Sequence, residues 1–243
     1  MFVRKTPKLQ KPDKTPFTAY NPHSHPLTER KWPEIIRIIS IDPGIRNFAL
    51  RVESRGVRNS NYPIRTIVFD KLHIKDKERY LNDENVDKLY KLLTDFLDQY
   101  LDIFKTCHLV LIERQLPHNY KATRVAQHTL TYFLIHLRDI IPNMAMVVEV
   151  DPKLKGRELG APNTLNERGL KEWSVVKARE IMTQRRDTDG LEILEKHKKK
   201  ADDIADTLCQ IEAFFSYNGW PLTQPIVSLK LKPEPKLKLK VVC

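Results

Sequence analysis

The sequence predicts an α/β domain built on a mixed five-stranded sheet with helices on both faces, and three observations predict it. Three strand-like stretches, the first an apolar, β-branched run, follow one another across polar connections between residues 35 and 72, as an antiparallel meander does. From residue 85 the apolar spacing changes from two to three-and-four, and helix-like and strand-like stretches alternate up to residue 150. Beyond a stretch bearing glycine and proline, the rest of the domain is helical in pattern. A meander followed by strand–helix alternation sets parallel strands beside antiparallel ones, with helices above and below.

The first strand is the run Ile35, Ile36, Ile38, Ile39 and Ile41, which delivers Asp42 at its end, immediately before the Pro43-Gly44 turn signal. Asn47 to Glu53 alternates Phe48, Leu50 and Val52 against Ala49, Arg51 and Glu53, a half-buried second strand. Ile64 to Leu72 supplies the third after a loop over 56–63. Asn85 to Phe104 carries the spacing of one amphipathic helix. His108 to Ile112 is short and wholly apolar, a buried strand of the parallel kind, and it ends in Glu113. A helix from about Ala122 to Ile140 and a strand from Met144 to Val150 follow. Residues 151–170 hold three glycines and two prolines and read as a loop or irregular insertion. A helix is expected from Lys171 to Thr183, then Arg185-Arg186, an acidic turn and the basic run Lys196 to Lys200. The last helix, Ala201 to about Phe215, presents Ile204, Leu208, Ile211 and Phe215 on its apolar face. Asp203 and Asp206, three apart, share another face.

With 243 residues and 41% hydrophobic content, one sizeable core is expected, in residues 34–220. No apolar run approaches the roughly 20 residues that span a bilayer, and the N-terminal stretch has no signal-like apolar core, so a membrane partner is not expected. Three cysteines at wide spacing make neither a disulfide framework nor a zinc motif, which suits a reducing, intracellular setting. The formal charge of +11 is concentrated at the ends: residues 1–32 carry seven Lys/Arg against two acids, and residues 228–243 five against one. Residues 1–33, rich in proline and basic groups, are expected to form an extended or disordered arm, and 221–243 a basic tail. Such ends suit sequence-independent attraction to nucleic-acid phosphates, or they serve only as solubilising tails.

Four acids bear on chemistry. Asp42 and Glu113 close two strands that become neighbours if the first and fourth strands are adjacent and parallel, and a helix across that edge can add Asp203 and Asp206. Each has an ordinary reading as well: a turn-forming Asp42, a surface pair of Glu113 with Arg114, and acids favoured by a helix N-terminus at Asp202-Asp203. Asp206 lies beyond that first turn among apolar neighbours, where an unpaired carboxylate is costly. Four hard oxygen donors favour Mg²⁺ or Mn²⁺ over zinc. Two such ions roughly 4 Å apart clamp the attacking and leaving oxygens of a phosphodiester.

Three motifs, I-S-I-D-P-G-I-R-N-F-A (Ile39 to Ala49), V-L-I-E-R-Q (Val110 to Gln115) and K-K-A-D-D-I-A-D-T-L (Lys199 to Leu208), occur in an order that resembles the RuvC-type Holliday junction resolvases of the RNase H-like superfamily. The resemblance is nearest to the resolvases of poxviruses and iridoviruses, with fungal mitochondrial resolvases as near relatives. It covers residues 35–216. It implies that Asp42, Glu113, Asp203 and Asp206 bind two Mg²⁺ ions, with Mn²⁺ able to substitute, and that a homodimer cuts opposed strands of four-way DNA. It further implies a catalytic lysine after the fifth strand, where Lys153 and Lys155 compete and Lys155 is preferred, and a second lysine matching Lys171. Asp202 competes with Asp203, because adjacent helical residues point about 100° apart.

The loop after Glu113, with Arg114, Asn119 and Lys121, is a candidate strand contact, and Arg46 in the first turn another. Tyr62, Tyr80, Tyr120 and Trp173 are either base-stacking side chains or core residues. An actin-like or sugar-kinase ATPase also opens with strand-Asp-x-Gly, but no second such turn follows here. A non-catalytic nucleic-acid module, an RNA–DNA hybrid nuclease and a transposase-like enzyme are further alternatives. A viral source would place the protein where the viral genome is resolved, in host cytoplasm or nucleus. The arm is too proline-rich for an amphipathic mitochondrial presequence.

Overall fold

A computed structural model describes residues 16–20, 32–56, 62, 64–74, 85–137, 145–197 and 200–219. The arm apart from 16–20 and 32–33, the loop residues 57–61 and 63, the expected helix end and strand start within 138–144, Tyr80, Lys198-Lys199 and the basic tail lie outside these residues.

The strands are β1 (Phe17–Ala19), β2 (Ile35–Pro43), β3 (Asn47–Gly56), β4 (Arg65–His73), β5 (Leu109–Glu113) and β6 (Met146–Val150). They form one sheet in the order β1-β6-β5-β2-β3-β4. The meander β2-β3-β4 is antiparallel, while β2, β5 and β6 run parallel. The five expected strands are all present, and a sixth, β1, is added at the edge. It comes from inside the segment expected to be an arm, pairing Phe17 to Ala19 antiparallel with Val150 to Val148.

The helices among the described residues are α1 (Val86–Asp98), α2 (Leu101–Phe104), α3 (Tyr120–Leu137), α4 (Lys153–Leu159), α5 (Glu167–Arg185), α6 (Thr188–Lys196) and α7 (Ala201–Tyr217). Three differ from expectation. The helix over 85–104 is broken at Gln99-Tyr100, where the Tyr100 amide bonds to Leu97 O, three residues back. The expected loop over 151–170 holds α4 and the start of α5. Several of its glycines and prolines mark helix ends: Pro152 precedes α4, Gly160 ends it in the left-handed region at φ 78°, and the Asn166 side chain caps α5 by accepting from the Gly169 amide. The expected acidic turn after Arg186 is α6, capped by Asp187 on the Gly190 amide. A Cβ at Gly190 would sit 2.6 Å from Asp187 Oδ2, the other oxygen of the capping carboxylate, which is why glycine stands inside so short a helix.

Strand alternation divides the core. Ile39, Ile41, Phe48, Leu50, Val52, Val110 and Ile112 face α1 and α3, while Ile36, Ile38, Leu109, Leu111 and Met146 face α7. On β3 the polar set is not half-exposed as its alternation suggests. Arg51 and Glu53 are fully buried and Arg55 nearly so, because α5 and α7 cover that face and bring Arg185 and Glu212 to it.

Candidate active site

The same alternation aims two carboxylates. Asp42 falls in phase with Ile36 and Ile38, and Glu113 in phase with Leu109 and Leu111, so both side chains project to the α7 face. The parallel register pairs Ile41 with Ile112, and Asp42 and Glu113 are the next positions along. The turn after Asp42 is tight: the Gly44 amide bonds to Asp42 O at 2.9 Å, and a Cβ at Gly44 would lie 2.2 Å from Asn47 O. Across the antiparallel ladder Asp42 faces Ala49, and Ala49 faces Lys71. A small residue between them lets the start of α7 pack down, where Ala49 clusters with Ala201, Ile204 and Ala205.

One cation ties the site together. Lys155, on α4, sets its ammonium 2.7 Å from Glu113 Oε2 and 2.7 Å from Asp206 Oδ2. Burial opposes its charge, but the Asp206, Glu113 and Asp42 carboxylates hold it protonated well above the usual lysine range. Burial, then the neighbouring Glu113 and Asp206 charges, push the Asp42 carboxyl well above the usual carboxylate range. Burial and adjacent Asp202 raise Asp203 to about 6. Asp203 Oδ2 is buried without a hydrogen-bond partner and lies 3.9 Å from Lys71 Nζ. The Asp206 carboxylate also accepts from the buried Ser174 hydroxyl.

Asp42, Glu113, Asp206 and Lys155 are therefore brought together, and Asp203 joins them electrostatically. Asp202 turns instead toward Lys171, 4.0 Å away. Lys153 is exposed, and its amide bonds to the Asp151 side chain. Arg46 is exposed in the β2–β3 turn, Arg114 donates to Thr18 on β1, and Lys121 stands 5.9 Å from the Tyr120 ring. Lys71 and Ser174 were missed. Lys71 is one more charge on an alternating strand, and a serine inside a helix carries no signal of its partner.

Among the described residues no three His, Cys, Asp or Glu side chains surround one point closely enough to hold an ion as they stand. Glu113 and Asp206 converge on the Lys155 ammonium instead. The donor set nevertheless fits hard divalent cations: oxygens only, gathered from β2, β5 and α7, with one buried and unpartnered and two carboxyls raised by burial and then by neighbouring carboxylates.

A mixed sheet whose central parallel strands end in carboxylates beneath a late helix is the RNase H-like α/β fold. Its backbone matches the yeast mitochondrial Holliday junction resolvase Ydc2 with a TM-score of 0.58 and 15% sequence identity, over 79% of this chain and 84% of that one. In sequence the chain is 32% identical over 124 residues to protein 97L of Invertebrate iridescent virus 3, covering 50% of this chain and 55% of that protein. It is 27% identical over 141 residues to protein 170L of Invertebrate iridescent virus 6, covering 51% and 57%. The chain thus spans little more than half the length of these viral relatives. No family model matches it.

Proposed function

We propose that this protein is a divalent-metal-dependent endonuclease that cleaves four-way DNA junctions by phosphodiester hydrolysis, acting as a homodimer on recombination or replication intermediates. The observation that carries this reading is the meeting of Asp42, Glu113, Asp206 and Lys155 under α7, in a fold shared with a Holliday junction resolvase. Asp42, Glu113, Asp203 and Asp206 would hold two Mg²⁺ ions, for which Mn²⁺ can substitute. Bound there, the ions would supply Lewis acidity to the scissile phosphate and its attacking water.

The chain's own groups do the rest. Rigid β2 and β5 fix the spacing of Asp42 and Glu113, and Ser174 holds one Asp206 oxygen in place. Lys155 keeps its proton, so on leaving its carboxylate partners it presents a full positive charge to a phosphate oxygen as negative charge develops. The products would be a 3′-hydroxyl and a 5′-phosphate. Arg46, Arg114, Lys121, Lys153 and Lys171 would contact DNA phosphates, and the basic ends would add sequence-independent attraction. If the protein is viral like the relatives it matches, its place is the host compartment where viral DNA is resolved.

The test is a Mg²⁺-dependent cleavage assay on a four-way junction, a linear duplex, a flap and an RNA–DNA hybrid. Preferential paired nicking of the junction is expected. Preference for the hybrid would replace the junction reading with a ribonuclease one, and no cleavage of any substrate in Mg²⁺ or Mn²⁺ would end both.

A further inference from the structure

Beside the carboxylate cluster lies a second, oppositely charged feature. A cavity of about 520 Å³ opens between the ends of β3 and β4 and the α6–α7 junction. It is lined by Lys71, Lys196, Lys200, His73 and His197, with Glu195 as its acid. Glu195 is already engaged by Arg179, so it offsets little of the cavity's charge. The sheet builds the cavity floor: Lys71 stands in the same cross-strand row as Asp42 and Ala49, and Asn47 pairs with His73 two residues along. Asn47 Oδ1 fixes the His73 ring at 2.8 Å from Nδ1. The Lys71 side chain is only 6% exposed, and its ammonium donates to Lys200 O at 2.9 Å, which holds a long, otherwise mobile cation in place. The wall is positive enough to act on its own members: burial, then Lys71 and Lys196, lower the His197 pKa, while Asp70 works weakly against them.

We infer that this cavity is an anion site for a backbone phosphate of the DNA strand, flanking the phosphate to be cut. The inference rests on the nuclease reading for the identity of the strand, but the anion chemistry does not. Lys71 links the two places, since its ammonium lies 3.9 Å from Asp203 Oδ2 at the edge of the carboxylate cluster. A phosphate seated against Lys196, Lys200 and the two imidazoles would orient the next phosphodiester toward Asp42 and Glu113. The carboxylate cluster alone would repel that strand until its own cations were bound.

The experiment uses the full chain and a Lys196→Gln/Lys200→Gln variant. Both side chains are exposed, and Lys71 bonds the backbone of Lys200, which the substitution leaves intact. In the first arm, inorganic phosphate is titrated while the ring resonances of His73 and His197 are followed by NMR. Saturable shifts in the wild type, absent from the double variant, are expected; unmoved rings overturn the site. In the second arm, junction binding is measured in Ca²⁺ across salt concentrations. Affinity should drop about tenfold in the variant and the log–log salt slope should become shallower by about 1 to 2, one unit per lost phosphate contact. KM should rise and kcat should fall with it, since the seated phosphate orients the phosphodiester to be cut. Phosphate shifts with an unaltered DNA salt slope would overturn the assignment to a DNA phosphate. Phosphate shifts in a protein that neither binds nor cuts DNA would overturn the nuclease reading while leaving an anion site.

Discussion

Two buried charge clusters lie on the α7 face of the same sheet, and they are built on opposite principles. Along β3, Arg51, Arg55 and Arg185 meet Glu53, Glu212 and Asp187, three cations against three acids. Arg51 Nε is 2.9 Å from Glu53, Arg55 Nη2 2.8 Å from Glu53, Arg51 Nη2 3.1 Å from Asp187, and Glu212 is shared by Arg55 and Arg185. Burial alone would raise Glu53, but Arg55, Arg185 and Arg51 outweigh it and lower its pKa to about 2. At the strand ends, four acids share mainly Lys155, and the carboxyls of Asp42 and Asp203 are raised instead of lowered. The balanced cluster is complete within the chain. The unbalanced one is short of positive charge, as the proposed cation site requires, and charge balance separates the two more clearly than burial does.

The largest expected effect breaks the unbalanced cluster. Asp42→Asn or Asp206→Asn should lower junction cleavage by more than about 1,000-fold, the scale of a lost metal-held transition state. Binding of the junction in Ca²⁺ should survive, as a gel-shift assay would read. Undiminished cleavage by purified Asp42→Asn would refute the metal scheme. The same comparison predicts that neutralising Asp42 does not destabilise the metal-free fold, since it removes repulsion.

Neutralising the balanced cluster should do the reverse. Glu53→Gln or Arg185→Met leaves buried partners uncompensated and should cost about 3–5 kcal/mol in urea denaturation, near the limit for stable folding.

The pH dependence of stability should carry both signs. Glu53 titrates near 4.5 when unfolded and at about 2 when folded, so its contribution is present above about 4.5 and is lost as pH falls toward 2. Asp203 moves from 3.8 up to about 6, so the folded chain binds the extra proton, and the stability this gives is lost as pH rises through about 6. In EDTA, the unfolding free energy should therefore climb as pH is lowered from 7 to 5 and decline below about 4. Asp203→Asn should make the first limb shallower, with the remainder contributed by the raised Asp42 carboxyl, and leave the second limb unchanged, and saturating Mg²⁺ should suppress the first.

The smallest expected effect sharpens the comparison. Ser174→Ala removes the hydroxyl that bonds Asp206 and should cost about 1 kcal/mol of stability. It should also raise the Mg²⁺ concentration needed to shift the Tm by about tenfold, as loss of a group supporting a metal ligand does. A Tm response to Mg²⁺ equal to that of the wild type would mean that Ser174 supports packing alone.

The sequence discloses the sheet and the four acids because their signals are local: a β-branched run ending in Asp42, an apolar run ending in Glu113, and two acids three apart on one helix. It does not disclose the fate of Arg51, Glu53 and Arg55. Alternation of polar and apolar residues is the same whether the polar face meets water or a covering helix with matching charges, and only the tertiary approach of Arg185 and Glu212 decides between them. Punctuation misleads in the same way over 151–170, where glycine and proline end helices as readily as they make loops. That error concealed the helix on which Lys155 rides, although the lysine itself could be named.

The short strand β1 has a practical consequence for anyone trimming this chain. Pro16 O accepts the Asp151 amide at 2.7 Å, Thr18 Oγ1 accepts from Arg114 at 2.7 Å, and Tyr20 bonds Glu149, so this segment staples the connections that leave Glu113 and lead to Lys155. Cutting away the basic N-terminal residues through position 20 would also uncover the apolar rim M-V-V-E-V of β6, a ready template for strand pairing between molecules. A shortened protein intended for crystals should keep Pro16 onward, so that this edge stays paired.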